Sequence, residues 1–395
     1  VKKVNFFIGT LSTGGAERVV SNLSLNLNDN IKKDILMFGV KSKIDYPYKG
    51  NIVYLDKNRD TNIINKFKTL ITRIVTVRKI KGLENHATTI SFLEYPNVVN
   101  ALTCGSAKSI VSVRNHMSTK HNNGMKSKLW NLTIRYLYPK TDLIISVSEE
   151  IKQDLICNYN IDSNKIKVIY NSYDINDIHE KSKEVIIDEH NEIFDNPVII
   201  SVGRLNKQKG HWHLIKAFSE VKKVIPNAKL VILGEGELES YLKELTQNLN
   251  ICQDVHFLGF QKNPFKYISK SKIFVMTSLH EGFPNALAEA MACGVPVISS
   301  DCKSGPREIL APTEFNKENI DYCINKDRYG ILTPVCDGSK YSSTDAITDE
   351  EGSVADSIIT LLSDTSLWNH FSNQAQTRIQ DFEISKIIKE WESVI

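Results

Sequence analysis

The sequence predicts an α/β protein of two Rossmann-like domains, and three observations carry that prediction. Short apolar runs with the composition of buried parallel strands alternate with helix-forming stretches along most of the 395 residues. The alternation breaks in a polar stretch over 175–196, rich in Asp, Glu, Lys and Asn, and then restarts, which places a domain linker there. Charge divides at the same place: residues 1–180 carry 26 Lys and Arg against 16 Asp and Glu, and the remainder 23 against 30, or +10 against −7. Such asymmetry implies halves that face different partners.

Composition narrows the class. With 41% hydrophobic and 24% charged residues, the chain has the make-up of a soluble globular protein and enough apolar mass for two cores. No apolar run approaches the roughly 20 residues of a membrane span. The opening Val1-Lys2-Lys3-Val4-Asn5-Phe6-Phe7-Ile8 reads as a strand and not as a signal peptide, so a cytoplasmic protein is expected. The seven cysteines, at 104, 157, 252, 293, 302, 323 and 336, form no C-x-x-C pair and are odd in number, which points to reduced structural thiols. His211-Trp212-His213 has no neighbouring Cys or acidic cluster to complete a metal site.

Taken in order, a first strand from Val4 to Gly9 runs into T-L-S-T-G-G-A-E-R over 10–18, followed by a helix with apolar Val19, Val20, Leu23, Leu25 and Leu27. The paired Gly14 and Gly15 let backbone amides approach a phosphate, although the spacing is neither G-x-G-x-x-G nor a P-loop. Further strands read at 34–38, 52–55, 89–92, 109–113, 143–147 and 166–169, with helices between most of them, which argues for a parallel doubly wound sheet. Arg114-Asn115-His116 stands at the carboxyl end of the fifth strand; a lone histidine is more often structural, but this position favours a site. Beyond the linker come a strand leading to Gly203-Arg204-Leu205, a helix from His213, a strand over 229–233, the turn Gly234-Glu235-Gly236, a helix and a strand over 255–259. The expected domains are 1–178, completed by a C-terminal helix over 380–395, and 179–379. Arg204 and Lys209, five apart on one loop, offer a forked guanidinium and an ammonium to a diphosphate.

The most informative stretch is S-L-H-E-G-F-P-N-A-L-A-E-A-M-A-C-G-V-P-V-I-S-S-D-C-K-S-G-P-R-E-I over 278–309. A buried strand, Ile273-Phe274-Val275-Met276, precedes it and another opens at Val295, so a helix lies between, started by Pro284 and Asn285 and closed by Gly294. The loop carries Glu281, and Glu289 follows about two turns into the helix on a similar face, so two carboxylates flank one elongated ligand. The helix start offers its N–H groups to a phosphate.

Glu281-x7-Glu289, set in H-E-G-F-P-N-A-L-A-E-A-M-A-C-G-V-P-V-I, resembles the E-x7-E signature of the family 4 retaining glycosyltransferases. The resemblance extends over nearly the whole chain and implies the GT-B architecture, two Rossmann-like domains facing a central cleft, with a closing helix around Trp391 crossing back onto the amino domain. It implies that Glu281 holds sugar hydroxyls and Glu289 the ribose of a nucleoside-diphosphate sugar, while Gly282, Phe283, Pro284, Asn285, Ala286 and Leu287 line the donor site. G-R-L-x-x-x-K-G matches the family motif in which the Arg and Lys, here Arg204 and Lys209 after Gly203, hold the pyrophosphate. His116 matches a histidine that reaches the donor sugar, and Gly14 and Gly15 lie near the donor phosphates or the acceptor. Gly234 belongs to a glycine turn below the nucleotide, and Phe257-Leu258-Gly259-Phe260-Gln261 lies near the base. Two departures, a long loop between Ile309 and Gly330 and a polar insertion over 341–352, bear on specificity and not on reaction class.

The expected reaction is transfer of a hexose or N-acetylhexosamine, most simply from a UDP-sugar, to a hydroxyl of a lipid-diphosphate oligosaccharide or glycan in bacterial surface polysaccharide synthesis. No D-x-D triplet occurs, so no metal or other cofactor is expected and the protein itself neutralises the leaving group. Retention follows if the leaving phosphate takes the acceptor proton during front-face attack. The alternative is a nucleotide-sugar epimerase of the same architecture, which needs an acid and a base on both sides of the sugar; Gly14-Gly15 with His116 supplies no clear pair. A silent sugar-nucleotide-binding subunit is opposed by the intact Glu281, Arg204, Lys209 and His116.

The basic half carries a further expectation. Residues 66–81 hold six basic residues and no acid, with Phe67, Leu70, Ile71, Ile74 and Val77 at spacings of three and four. This predicts a basic amphipathic helix. Residues 120–140 hold Lys126, Lys128, Trp130, Arg135, Tyr136 and Tyr138, again without an acid. Peripheral association with an anionic membrane surface at the inner face of the cell membrane is expected, carried by Lys68, Arg73, Arg78 and Lys81, and no nucleic-acid partner is expected.

Overall fold

The structure, a computed structural model, describes residues 2–12, 14–39, 44–56, 63–84, 86–105, 107–120, 125–186 and 188–395, the side chains of 63–66, 125, 126 and 188 excepted. Lys66 and Lys126 of the basic stretches and Thr13 of the first loop therefore lie outside what can be described.

The chain divides into two compact units, Val1–Ser172 with Ile384–Ile395, and Tyr173–Glu383. The first holds seven parallel strands: β1 Lys3–Ile8, β2 Lys32–Met37, β3 Asn51–Tyr54, β4 Ala87–Phe92, β5 Lys108–Val113, β6 Leu143–Ser146 and β7 Ile166–Val168, in the order β3-β2-β1-β4-β5-β6-β7. The second holds six: β8 Val198–Val202, β9 Lys229–Leu233, β10 Val255–Phe257, β11 Ile273–Met276, β12 Val297–Ser300 and β13 Ile331–Thr333, in the order β10-β9-β8-β11-β12-β13. All strand pairings within both sheets are parallel. Strands covered by helices on both faces read as continuous apolar runs, as β11 does with four buried residues.

In the first unit the closing helix Ile384–Glu392 packs beside the Gly15–Asn26 helix, burying Ile384, Ile387, Ile388 and Trp391 against Phe6, Ile8 and Phe92. The rings of Trp391 and Phe92 lie 6.0 Å apart. On the opposite face, Phe7, Leu36, Leu55 and Val99 receive Leu70, Ile74 and Val77 of the Ile63–Leu83 helix. The second core is built around Trp212, Phe218, Leu230, Ile232, Val275 and Phe371.

Three expectations are corrected here. The stretch 175–196 is no linker: Ile175–Ser182 is a helix capped by Asp174, with Ile175 and Ile178 buried, that packs on the Phe265–Ile268 and Asn285–Ala292 helices of the second unit, so the boundary falls after residue 172 and not at 178. Its polar composition is that of a helix with one buried edge. In the basic helix Phe67 and Ile71 point to solvent, because the inward stripe runs through Leu70, Ile74 and Val77. Two of its cations are also inside: Lys81 is buried, and Arg73 pairs with Asp56 at 2.6 Å while stacking 3.7 Å over the Phe38 ring.

Candidate active site

Each sheet has a point where strand order reverses, and open α/β sheets bind ligands in the crevice at the strands' carboxyl ends there. In the second unit the reversal lies between β8 and β11. Their carboxyl-end loops carry Gly203–Gly210 and Thr277–Pro284, which hold Arg204, Lys209 and Glu281.

Hydrogen bonds join these two loops. The Leu279 N–H donates to the Gln208 carbonyl at 2.8 Å, Gln208 Nε2 to the His280 carbonyl at 2.9 Å, and the Thr277 hydroxyl to the Gly210 carbonyl at 3.0 Å. Across this seam Lys209 Nζ meets Glu281 Oε1 at 2.7 Å, the carboxylate 8% and the ammonium 20% exposed. Glu281 is fixed from behind as well. Its N–H donates to the Lys303 carbonyl at 2.6 Å, its carbonyl accepts from the Ser304 N–H at 3.1 Å, and the Ser304 hydroxyl donates to the Gly282 carbonyl at 2.8 Å. Gly305, at φ 101°, completes this support: a Cβ there would stand 2.6 Å from Pro284 Cδ. Thus the G-P-R-E-I segment backs the G-F-P-N segment.

The glycines are steric requirements of the same seam. The aliphatic stem of Lys209 lies over Gly203, where a Cβ would come within 3.1 Å of the lysine Cε. Beneath it Gly234, at φ 142°, leaves only 2.0 Å between a would-be Cβ and the Gly203 carbonyl oxygen, a close backbone approach that requires glycine. Arg204 is exposed, and no group among the described residues pairs with its guanidinium. Burial, and then the charge of Lys209, push the neighbouring His211 down to about 3, so this imidazole is neutral and adds no cation.

The helix Asn285–Ala292 opens at Pro284 with no side-chain cap among the described residues, and Asn285 Oδ1 accepts from the Tyr173 hydroxyl at 2.7 Å. Phe283, Leu287 and Ala288 are buried beside it, with Ala286 half-buried. Glu289 is the fifth residue of this helix and 5% exposed, so it sits one turn past the start and not two. The spacing misled because residues 282–284 belong to the loop ahead of the helix.

Gly14, Gly15 and His116 belong to the first unit. Gly14 is the N-cap of the Gly15–Asn26 helix, on the loop after β1, which adjoins that sheet's own reversal between β1 and β4. His116 follows β5, buried, with Nδ1 3.0 Å from the Thr119 hydroxyl and 3.7 Å from the Asp154 carboxylate. That carboxylate also accepts the Met117 and Ser118 N–H groups at 2.8 and 3.1 Å.

Sequence reasoning left unmarked several polar partners of these residues within each unit. Glu94, after β4, binds Lys120 at 2.6 Å and Asn115 at 3.1 Å; burial works to raise its carboxyl, but those partners outweigh it and hold the carboxyl below the usual range. Gln208, Asp154 and Ser304 were likewise unmarked, because their partners lie 36 to 73 residues away or, for Ser304, 22 and 23 residues upstream in the same motif. His213, set aside as a metal ligand, meets Glu351 at 2.7 Å in full burial, and Lys216 joins the same carboxylate at 3.4 Å.

Two doubly wound parallel-sheet units in one chain are the fold shared with GT-B glycosyltransferases of known structure. Residues 13–177 match the family model described as Glycosyltransferase Family 4, and residues 182–329 match Glycosyl transferases group 1. The chain is 40% identical over 294 residues to an uncharacterized glycosyltransferase of Methanocaldococcus jannaschii, covering 73% of this chain and 72% of that one. It is 32% identical over 395 residues to the N-acetylgalactosamine-N,N'-diacetylbacillosaminyl-diphospho-undecaprenol 4-alpha-N-acetylgalactosaminyltransferase of Campylobacter jejuni, covering 99% and 98%. Among solved structures, Anabaena HepE in complex with UDP aligns with a TM-score of 0.75 at 19% identity, over 99% of this chain and 98% of that one. The protein belongs to glycosyltransferase family 4 and is a glycosyltransferase.

Proposed function

We propose that the protein transfers a hexose or N-acetylhexosamine from a UDP-sugar, with retention at the anomeric carbon and without a metal, to a hydroxyl of a lipid-diphosphate-linked glycan in bacterial surface polysaccharide synthesis. The observation that carries this reading is the Lys209–Glu281 pair, with the exposed Arg204 on the same loop as Lys209. The donor's diphosphate would draw Lys209 and Arg204 to itself, aided by the amides at the start of the Asn285–Ala292 helix. Glu281, relieved of part of its ion pair, would then accept hydrogen bonds from sugar hydroxyls. The bond from the anomeric carbon to the diphosphate oxygen breaks, the acceptor oxygen bonds to that carbon on the same face, and the acceptor proton passes to the departing phosphate oxygen. Glu289 is assigned the ribose hydroxyls, and His116 the donor sugar. The acceptor class follows the names of the Campylobacter jejuni relatives, which act on undecaprenol-diphosphate glycans. The choice of uridine is supported by the UDP held in the HepE structure.

Turnover of UDP-sugars with a lipid-diphosphate glycan, measured in EDTA, tests the reading. Arg204→Ala and Glu281→Ala are each expected to cost about 100-fold or more in kcat/KM, on the scale of lost electrostatic stabilisation of a leaving group. Activity retained in both would overturn the site. NMR of the product linkage checks retention.

A further inference from the structure

The chain enters the second unit at Tyr173 and leaves it at Glu383, and these two stretches lie side by side. The Tyr173 N–H donates to the Phe382 carbonyl at 3.0 Å, and Tyr173 and Glu383 form a parallel bridge. Both stretches grip the helix that carries Glu289. Tyr173, buried, donates its hydroxyl at 2.7 Å to Oδ1 of Asn285, the first residue of the Asn285–Ala292 helix. Further along the entering stretch, His179 Nε2 donates at 2.8 Å to the carbonyl of Ala292, the last residue of the same helix. The leaving stretch holds the turn ahead of it. Phe382, also buried, sets its ring 5.4 Å from that of Phe283 in a T-shaped contact, and the Arg378 guanidinium lies 4.7 Å over the Phe382 ring. Arg378 also donates to the Glu308 and Ile309 carbonyls at 2.7 and 3.0 Å, in the segment that backs the G-F-P-N turn.

A helix gripped at both ends by one neighbouring segment is held along its axis. That matters for this helix in particular, because alanine fills four of its eight positions and small side chains give few ridges to interlock with a neighbour. Apolar packing therefore fixes its distance from the sheet better than its axial position. A slip of one residue moves the helix by about 1.5 Å, enough to carry an amide out of hydrogen-bond reach of a phosphate oxygen. We propose that Tyr173 and His179 are positioning residues for the donor: they set the axial position of the Asn285–Ala292 helix, and with it the amides offered to the diphosphate and the Glu289 carboxylate offered to the ribose. This role rests on the donor site proposed above and adds two residues that act through the helix and not on the donor. Spacing in the sequence gave no sign of them, since their partners lie 112 and 113 residues away.

The test is calorimetry of UDP binding to the full chain, joined to steady-state kinetics on the UDP-sugar. Tyr173→Phe keeps the ring and removes the hydroxyl, and it should weaken UDP binding and raise the donor KM by about 5- to 10-fold, the scale of one lost hydrogen bond. The acceptor KM should stay unchanged and kcat at saturating donor should move less than about threefold, the pattern of lost uniform binding. His179→Ala should weaken UDP binding in the same way, and His179→Gln, which keeps an N–H donor, should restore it. Tyr173→Phe combined with Asn285→Ala should bind UDP no more weakly than Asn285→Ala alone, because both remove one bond. A merely structural role predicts the opposite split, a lowered thermal melt with UDP affinity intact well below it. Wild-type affinity in Tyr173→Phe and His179→Ala therefore overturns the positioning role whatever the melt does, and equal weakening in both His179 variants overturns the hydrogen bond as its cause. Arg204→Ala tells this failure from failure of the donor site itself. UDP binding that Arg204→Ala abolishes and Tyr173→Phe leaves intact removes the positioning role alone; a wild-type chain that binds no UDP, or binding that Arg204→Ala leaves intact, removes the donor site and the positioning role with it.

Discussion

Lys81 in the first unit and Lys216 in the second are buried to the same degree, yet their surroundings differ. Around Lys81 Nζ stand neutral oxygens: the Asn100 side-chain and backbone oxygens at 2.6 and 3.1 Å, the Ser109 hydroxyl at 2.8 Å and the Thr103 carbonyl at 3.3 Å. Burial dominates there and pushes the ammonium down to about 8, against weaker opposing pulls from Cys104 and Asp142. Lys216 instead shares the Glu351 carboxylate with His213, and its ammonium also donates to the Asp345 and Ala346 carbonyls at 3.3 and 3.1 Å. The same contrast separates the two glycine loops. Gly234 is wedged against backbone, whereas a Cβ on Gly14 would meet the movable end of Glu17. The second unit is therefore held by charge and by backbone contact at these places, and the first unit is more permissive at the Gly14 loop.

Breaking the lock should have the largest effect. Glu351→Ala leaves His213 and Lys216 without their shared carboxylate in a buried site, and a loss of about 3–5 kcal/mol is expected, read by urea denaturation of the second unit. If the loss is below about 1 kcal/mol, the two lysines do not differ as described. Next, Gly234→Ala must either displace the Gly203 carbonyl or distort the turn, so about 3 kcal/mol is expected together with weakened UDP binding in calorimetry.

The pH dependence sharpens the comparison from the other side. Lys81 has a folded value of about 8, below its ordinary 10.5, so between those values the unfolded chain holds a proton that the folded chain has released. Stability from this group therefore rises with pH across that window, by about 1 kcal/mol from pH 7.5 to pH 9. Lys81→Met should abolish that rise, and an identical slope in the variant would remove Lys81 as its source. The smallest effect is expected of Gly14→Ala. Its φ of −155° is extended backbone open to any residue, so the change in stability should stay within about 1 kcal/mol while the equivalent change at Gly234 does not.

Much of this was legible in the sequence because it is local. Alternating strand and helix periods gave both sheets, and fixed spacings marked Gly203, Arg204, Lys209 and Glu281, each of which the strand pattern sets on a strand-end loop. The apolar run Ile273–Met276 and the Gly294 stop likewise defined the helix that carries Glu289. What periodicity could not decide was which of two overlapping apolar stripes on the 63–83 helix faces the sheet. Phe67 and Ile71 fit the same spacing rule as Leu70 and Ile74, and only packing against Phe7, Leu36 and Val99 chose between them. Nor could spacing show that Lys209 and Glu281 are paired, 72 residues apart, or that Lys216 and His213 share Glu351, more than 130 residues away. Those contacts exist because parallel crossovers return distant strand ends to one edge of a sheet, and burial there makes an unpartnered charge costly. The sequence by itself determined the two sheets, the loops and the residue types of the candidate site; the tertiary structure decided the partners, since partnership depends on distances that only folding creates.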